Sequence, residues 1–140
     1  MKRLALIAGV AAALICPTAA TAEEEKIDVK ALEKSVDNAL KAYNDDDYKM
    51  FWAEFSKTVD ALKTKETYDA LYTNGSKKMF GKLVKRGDMI KDKSVLTGEI
   101  GLVRYMAEFD KDKKVEISIN WVKDGKDIKL QQVLIGKPQE

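Results

Sequence analysis

The chain has 140 residues, with 25 basic and 23 acidic side chains, one cysteine and no histidine. This length suits a single domain with one core. The near balance of charge excludes a global field that selects polyanions, so we expect no nucleic-acid partner. The missing histidines and the single cysteine exclude a serine–histidine triad, a thiol pair and the usual zinc-ligand patterns. We therefore expect no metal and no cofactor.

The N-terminus has the order of a secretory signal peptide. Residues 1–3 are a short basic start, residues 4–15 are apolar, and small residues lead up to Ala22. An apolar run of about twelve residues is too short for a bilayer that needs about twenty, so we expect no permanent membrane anchor. Isoleucine before Cys16 argues against a lipoprotein signal. We expect cleavage between Ala22 and Glu23 and a periplasmic or extracellular protein.

Cleavage would leave a single domain with short ends. Residues 23–27 form an acidic N-terminal segment, residues 28–136 form the domain, and residues 137–140 form a tail. The mature chain contains no cysteine. Packing alone must therefore hold the domain together, even though an exported protein meets an oxidising compartment.

Two amphipathic helices are predicted at the start of the domain. Asp28 is a suitable N-cap, and apolar side chains recur every three or four residues through residues 29–44. Asp46 or Asp47 can cap a second helix over residues 48–62. Its apolar face is unusually aromatic and is better explained by core packing than by binding; it consists of Tyr48, Phe51, Trp52, Phe55, Val59 and Leu62.

A third helical region is predicted over residues 68–84. Its apolar residues keep the helical spacing but are interrupted at Asn74 and Gly75, where glycine permits a turn or a kink. Gly87 is the expected C-terminal stop, because glycine adopts the left-handed conformation that ends many helices.

After Lys93 the apolar pattern alternates, which predicts three antiparallel strands. Asp124 and Gly125 form a typical two-residue hairpin turn. This turn predicts four cross-strand pairs on one apolar face: Trp121–Ile128, Ile119–Leu130, Ile117–Gln132 and Val115–Leu134. Gln132 would then be a polar side chain on an apolar surface.

A loop over residues 110–114 gives the second hairpin. It predicts the pairs Phe109–Val115, Ala107–Ile117, Tyr105–Ile119 and Val103–Trp121, which lie on the same face as the first set. A slip of one residue would scatter these side chains to both faces, so the agreement supports the register. The reverse face is expected to be mainly hydrated; it carries Arg104, Glu108, Glu116, Ser118, Asn120, Lys129 and Gln131.

Helices followed by an antiparallel meander predict an α+β fold in which N-terminal helices pack on a curved, cone-like sheet. Two segments carry a resemblance to a known group. Residues 39–48 read ALKAYNDDDY and are followed by aromatic residues, and residues 115–126 read VEISINWVKDGK. The chain resembles small secreted members of the nuclear transport factor two-like, or cystatin-like cone, superfamily, many of them bacterial domains of unknown function.

This resemblance implies a cone-shaped cavity that serves either enzymes or binding domains. Enzymes of this group place an aspartate or histidine base in the cone, whereas the predicted inward face here has no carboxylate. We therefore expect a noncatalytic binding domain for a small apolar ligand or a protein partner. The residues expected to contact the ligand are Tyr105, Gln132, Trp121, Tyr43 and Phe55. The alternative is an isomerase or dehydratase whose base comes from a helix or loop, such as Asp47 or Asp60.

Basic residues are concentrated in residues 77–93. Lys77, Lys78, Lys82, Lys85 and Arg86 could dock on anionic envelope polymers, which is a second alternative function. A solvated face that balances the acidic first half of the domain explains the same pattern. A homodimer through the sheet is a further partner that this fold allows.

Overall fold

The computed structural model describes residues 25–138. The predicted signal peptide, its cleavage site and Cys16 lie outside these residues. Helical segments come first and a four-stranded antiparallel sheet follows, which confirms the predicted α+β class. Within the described range, no helix is both long enough and apolar enough to cross a membrane.

Helix α1 (Val29–Asp45) confirms the first predicted helix, and aspartates define both of its ends. The Asp28 carboxylate accepts a hydrogen bond from the backbone N–H of Ala31 at 3.1 Å, which satisfies one free donor of the first turn. Asp46 adopts a left-handed conformation with φ of 56° and ends the helix. Asp47 then caps the next helix.

Helix α2 (Tyr48–Ala53) is much shorter than predicted, and a 3-10 segment (Lys57–Leu62) replaces its second half. The chain between them forms a parallel bridge to a strand of the sheet. The N–H of Ser56 donates to the carbonyl of Leu130 at 2.8 Å, and the N–H of Leu130 donates to the carbonyl of Glu54 at 2.9 Å. These bonds use backbone groups that a continuing helix would need, so the predicted continuous helix over residues 48–62 is wrong.

The third helical region ends earlier than predicted. It consists of α3 (Lys65–Tyr68), a π-helical segment (Asp69–Ser76) and α4 (Lys77–Phe80). The interruption predicted near Asn74 is thus a wider helical turn and not a break. The C-cap is Gly81, so the predicted stop at Gly87 is wrong.

Gly81 ends the helix because its backbone and its surroundings both require glycine. Its φ is 83°, and a Cβ there would lie 2.8 Å from the Cβ of Asp110. The following residues form strand β1 (Leu83–Met89), which the sequence analysis missed. Val84 and Gly87 are therefore strand residues and not helical ones.

The other strands are β2 (Ile100–Phe109), β3 (Asp112–Asp124) and β4 (Asp127–Gly136). All neighbours are antiparallel, and their order in the sheet is β1-β2-β3-β4. A short 3-10 turn (Lys91–Lys93) precedes β2. The sheet that was predicted as a three-stranded meander thus has a fourth strand, β1, which pairs with β2.

The predicted pairing of β3 with β4 is wrong. The hairpin turn is formed by Gly125 and Lys126, one residue later than expected, and Trp121 lies opposite Leu130 and not Ile128. The pair Trp121–Leu130 still faces the core, because the partner of Trp121 has moved by two residues and side chains alternate along a strand.

A β-bulge between Asn120 and Trp121 changes the second half of β4. Beyond the bulge Asn120 pairs with Gln132, and Val133 lies opposite Ile119. Val133 is buried, whereas Gln132 is exposed, so the prediction that Gln132 points inward is wrong. A single extra residue reverses which side chains face the core.

The predicted pairing of β2 with β3 is also shifted, by two residues. The shorter turn at residues 110–111 pairs Tyr105 with Ile117 and Val103 with Ile119. A shift of two leaves every side chain on its predicted face, because side chains alternate along a strand. The inward face of β2 and β3 is therefore as predicted, and it packs on the helices; its largest fully buried members are Trp121, Tyr105, Phe109, Ile117 and Ile119.

Candidate functional site

A groove of about 380 Å³ runs along the β4 edge of the sheet, beneath the chain that leaves α2. Its volume falls in the range of about 300–1,000 Å³ typical of ligand sites. The bridge at Leu130 brings the segment after α2 against β4, so the groove exists because α2 ends early. It is lined by Trp52, Phe55, Val59, Leu62, Leu71, Tyr72, Asn120, Gln131 and Gln132.

The floor of the groove is aromatic and is held in place by hydrogen bonds. The indole N–H of Trp52 donates to the carbonyl of Thr64 at 3.0 Å, and the hydroxyl of Tyr72 donates to the carbonyl of Val133 at 2.8 Å. Both polar groups are thus already satisfied by backbone. What these residues offer a ligand is ring surface.

The walls are aliphatic and partly open to solvent. Leu62 is 50% exposed and Leu71 is 52% exposed. Val59 also lines the groove and is half-buried. Exposed leucines beside aromatic rings form the kind of apolar surface that a ligand can cover.

Three side-chain amides supply the polar part of the lining. The Gln131 amide donates to the hydroxyl of Thr58 at 3.1 Å, which leaves its carbonyl oxygen as an acceptor. The side chains of Asn120 and Gln132 make no hydrogen bond to any residue in the range 25–138. The lining contains no charged side chain among the described residues, so the site offers neutral donors and acceptors only.

The groove brings together only two of the five residues predicted to contact a ligand, Phe55 and Gln132. Tyr43, Tyr105 and Trp121 are buried in the core instead. Their polar groups have partners: the Tyr43 hydroxyl donates to the carbonyl of Gly81 at 3.1 Å, that of Tyr105 to Glu33 at 3.2 Å, and the Trp121 indole N–H to the carbonyl of Val95 at 3.0 Å.

The buried tyrosines are structural hydrogen-bond donors. Burial raises the pKa of all four above its ordinary value of about 10, so they stay neutral in the folded protein at any physiological pH. They are Tyr43, Tyr68, Tyr72 and Tyr105. Of these only Tyr72 reaches the groove.

The carboxylates considered as a base lie elsewhere. Asp47 accepts the capping hydrogen bond from the N–H of Met50 at 3.1 Å, and Asp60 pairs with Lys63 at 2.8 Å. Neither lines the groove. A proton-transfer base must lie within hydrogen-bond reach of its substrate, so neither Asp47 nor Asp60 is placed to act as a base on a ligand bound in the groove.

The basic set predicted for anionic surfaces is divided by the fold. Lys77 pairs with Asp46 and lies 4.9 Å from the centre of the Tyr43 ring, with only 12% of its side chain exposed. Arg86 pairs with Asp37 at 2.7 Å and covers the ring of Tyr105. Lys77 and Arg86 therefore pair with carboxylates and tyrosine rings of the domain itself.

Lys78, Lys82 and Lys85 are exposed. They are distributed over α4, the turn after it and β1. Three separate exposed lysines are an ordinary solvated surface, and each contributes little to binding without a defined partner geometry.

Sequence reasoning missed most of the groove. It assigned Trp52, Val59 and Leu62 to a buried helix face and placed Asn120 and Gln131 on a plain hydrated face. The sequence feature that could have indicated the groove is a set of three amides on the last two strands: Asn120 and the consecutive residues Gln131 and Gln132. Amides carry hydrogen-bonding capacity without charge, which suits the rim of an apolar site.

Comparison of the chain with models of known protein families, with curated proteins and with solved structures finds no match. The resemblance to the cone superfamily therefore stays a prediction.

Proposed function

We propose that the protein is an exported, noncatalytic binding domain whose groove takes an uncharged, largely apolar ligand. One observation carries this proposal: exposed leucines and buried aromatic rings line a preformed groove in which every polar side chain is neutral. The leader pattern of residues 1–22 supports export.

The ligand class follows from the lining. Covering Leu62 and Leu71 removes apolar surface from water, which favours binding by about 25 cal/mol per Å². A charged group would lose its hydration without gaining an opposite charge, which is unfavourable. A neutral carbonyl, amide or hydroxyl, in contrast, can pair with Asn120 or Gln132. The ligand is thus an apolar body with a neutral polar group.

The lack of an acid or base supports binding without turnover. Proton-transfer catalysis commonly contributes about a hundredfold or more to a rate and needs a titratable group at the reacting atom. Within the described residues the groove lining holds amides, aromatic rings and aliphatic side chains. Of these, only the Tyr72 hydroxyl titrates, and its proton is engaged with the carbonyl of Val133.

The test is titration with N-phenyl-1-naphthylamine, a neutral fluorescent probe, against the wild-type domain and two matched variants. Leu71→Gln places an amide in the groove wall and should weaken binding about tenfold, since about 1.4 kcal/mol of apolar contact is lost. Met79→Gln makes the same kind of change at a side chain that is 66% exposed and does not line the groove. It should leave the affinity unchanged.

Two further readings sharpen the test. Trp52 lies in the floor of the groove, so its fluorescence should change on binding. Trp121 is buried in the core, so its fluorescence should stay the same. A sulfonated naphthylamine of similar size should bind more weakly, because its charge has no partner in the groove. Equal affinities for both variants, or tighter binding of the anion, would contradict the proposal.

A further inference from the structure

An ion pair lies on the outer face of the sheet, opposite the helices. Arg104 Nη1 is 3.2 Å from Glu116 Oε2, and the two residues are diagonal neighbours on β2 and β3. The Glu116 side chain is only 6% exposed and that of Arg104 is 26% exposed. This is an unusual burial for charges on a sheet face that none of the helices within residues 25–138 covers.

The pair is incompletely satisfied. Among the described residues, Arg104 Nε and Glu116 Oε1 are both buried and have no hydrogen-bond partner. A buried donor or acceptor without a partner costs about 1–3 kcal/mol, and more when it is charged. The outer face therefore holds one unused charged donor next to one unused charged acceptor.

The surroundings leave room for an approaching surface. Gly136 lies opposite Glu116 on β4, and a Cβ added there would meet nothing within 4 Å. A cleft of about 150 Å³ opens at this point and is lined by both charged residues together with Ser118 and Leu134.

Apolar side chains share this face. Leu134 is 52% exposed and Ile100 is 58% exposed. They pair across the sheet with Ser118 and Val122 respectively, and pairs that lie directly opposite each other point to the same face. Leu102, Met106 and Val122 on the same face are half-buried.

We propose that this face is the interface with a second copy of the chain, in which Arg104 of each copy pairs with the partner's Glu116. In a twofold dimer residue i contacts residue j and j contacts i, so one donor–acceptor pair supplies two intermolecular ion pairs. The face is self-complementary in this sense. It presents one positive and one negative group side by side, flanked by exposed leucine and isoleucine.

The size of the face is sufficient for a modest interface. Four strands about 4.8 Å apart, with about ten residues each at a rise of about 3.4 Å, give roughly 650 Å² per copy. Two copies would bury roughly 1,300 Å², at the low end of the range of about 1,200–2,000 Å² for stable complexes. Residues 23–140 carry equal numbers of acidic and basic groups, so net charge does not oppose association.

The test is sedimentation equilibrium of the full mature chain from low micromolar to near-millimolar concentration. We expect a monomer–dimer equilibrium that Leu134→Glu shifts to monomer, because it places a carboxylate in an apolar contact. Met79→Glu is the matched control; Met79 lies on α4 and is 66% exposed. It should leave the equilibrium unchanged. Circular dichroism should show all of these proteins folded, since the changed positions are exposed.

A charge-reversal pair tests the specific contact. Arg104→Glu and Glu116→Arg each place like charges at the interface and should be monomeric, whereas an equimolar mixture restores both cross-pairs and should form a heterodimer. If either variant fails to fold, Glu116→Gln serves instead. It keeps the shape, removes the acceptor charge and should weaken the dimer about tenfold or more.

A wild-type chain that stays monomeric throughout this range would overturn the proposal. So would a dimer that Leu134→Glu leaves intact, because it would be held by another surface. Asn120 and Gln132 of the groove lining lie on this same outer face, so the probe titration is made at the low end of the concentration range, where we expect a monomer and the groove is read separately.

Discussion

Gly101 is the position where adding one methyl group should do the most damage. It lies opposite Trp121 in the β2–β3 pairing and faces the core. A Cβ built on Gly101 would lie 2.4 Å from the Trp121 ring carbon Cζ2 and 2.4 Å from the carbonyl oxygen of Val95. Both distances are far below van der Waals contact, so Gly101→Ala requires something to move.

Neither obstacle can move alone. Trp121 is fully buried, and its indole N–H donates to the same Val95 carbonyl at 3.0 Å. That carbonyl also accepts a hydrogen bond from the N–H of Leu102 at 3.3 Å. Overpacking of a core costs about 1–3 kcal/mol, and loss of the indole hydrogen bond adds about 1 kcal/mol. We therefore expect Gly101→Ala to lower the free energy of unfolding by about 2–4 kcal/mol.

The assay is urea unfolding followed by circular dichroism, with a thermal melt alongside. For a domain of about 100 residues this loss corresponds to a fall in Tm of roughly 10–20 °C. Gly75→Ala is the matched control, because its Cβ would lie at an ordinary 3.4 Å from the carbonyl of Ala70 and its φ is not positive. It should be neutral or stabilising by up to about 1 kcal/mol. Equal stabilities of the two variants would refute the packing argument.

Two further predictions concern pH and processing. Because burial raises the pKa of the four core tyrosines, unfolded chains ionise them near pH 10 while the folded protein does not. Their contribution to stability is therefore complete below about pH 10 and is lost as the pH rises above it, so the absorbance of these four phenolates should appear only together with unfolding; with the fold intact, a rise at pH 10 larger than one of the five tyrosines of the chain can give would contradict this. The mature protein recovered from its native host should begin at Glu23 and carry no lipid, which intact mass measures directly; a mass that retains Cys16 with acyl chains would show the opposite.

The elements that could be predicted are those whose signals lie within one turn or one strand. Asp28 and Asp47 each bond an N–H three residues along the chain, so their capping roles can be read locally. The alternation in β2 and β3 identified the buried face correctly even though the pairing was shifted by two residues. A shift of an even number of residues conserves the face.

The candidate site depended on contacts between distant residues. Helix α2 ends where residues 54–56 bond to Leu130, a partner more than seventy positions away that periodicity within residues 48–62 could not reveal. The bulge at Asn120 turns Gln132 outward and Val133 inward, and it arises only when β3 and β4 pair.

The sequence by itself thus determined the α+β class, the first helix, the N-caps Asp28 and Asp47 and the core face of the central strands, because local hydrogen bonds and side-chain alternation specify them. Tertiary structure alone decided where α2 stops and which side chains of β4 face solvent. The groove between α2 and β4 exists because of both. The physical reason is that a backbone group bonds to one partner or another. The backbone groups after α2 can bond either to the next turn of a helix or to Leu130 of β4, and only the folded arrangement decides which partner they take.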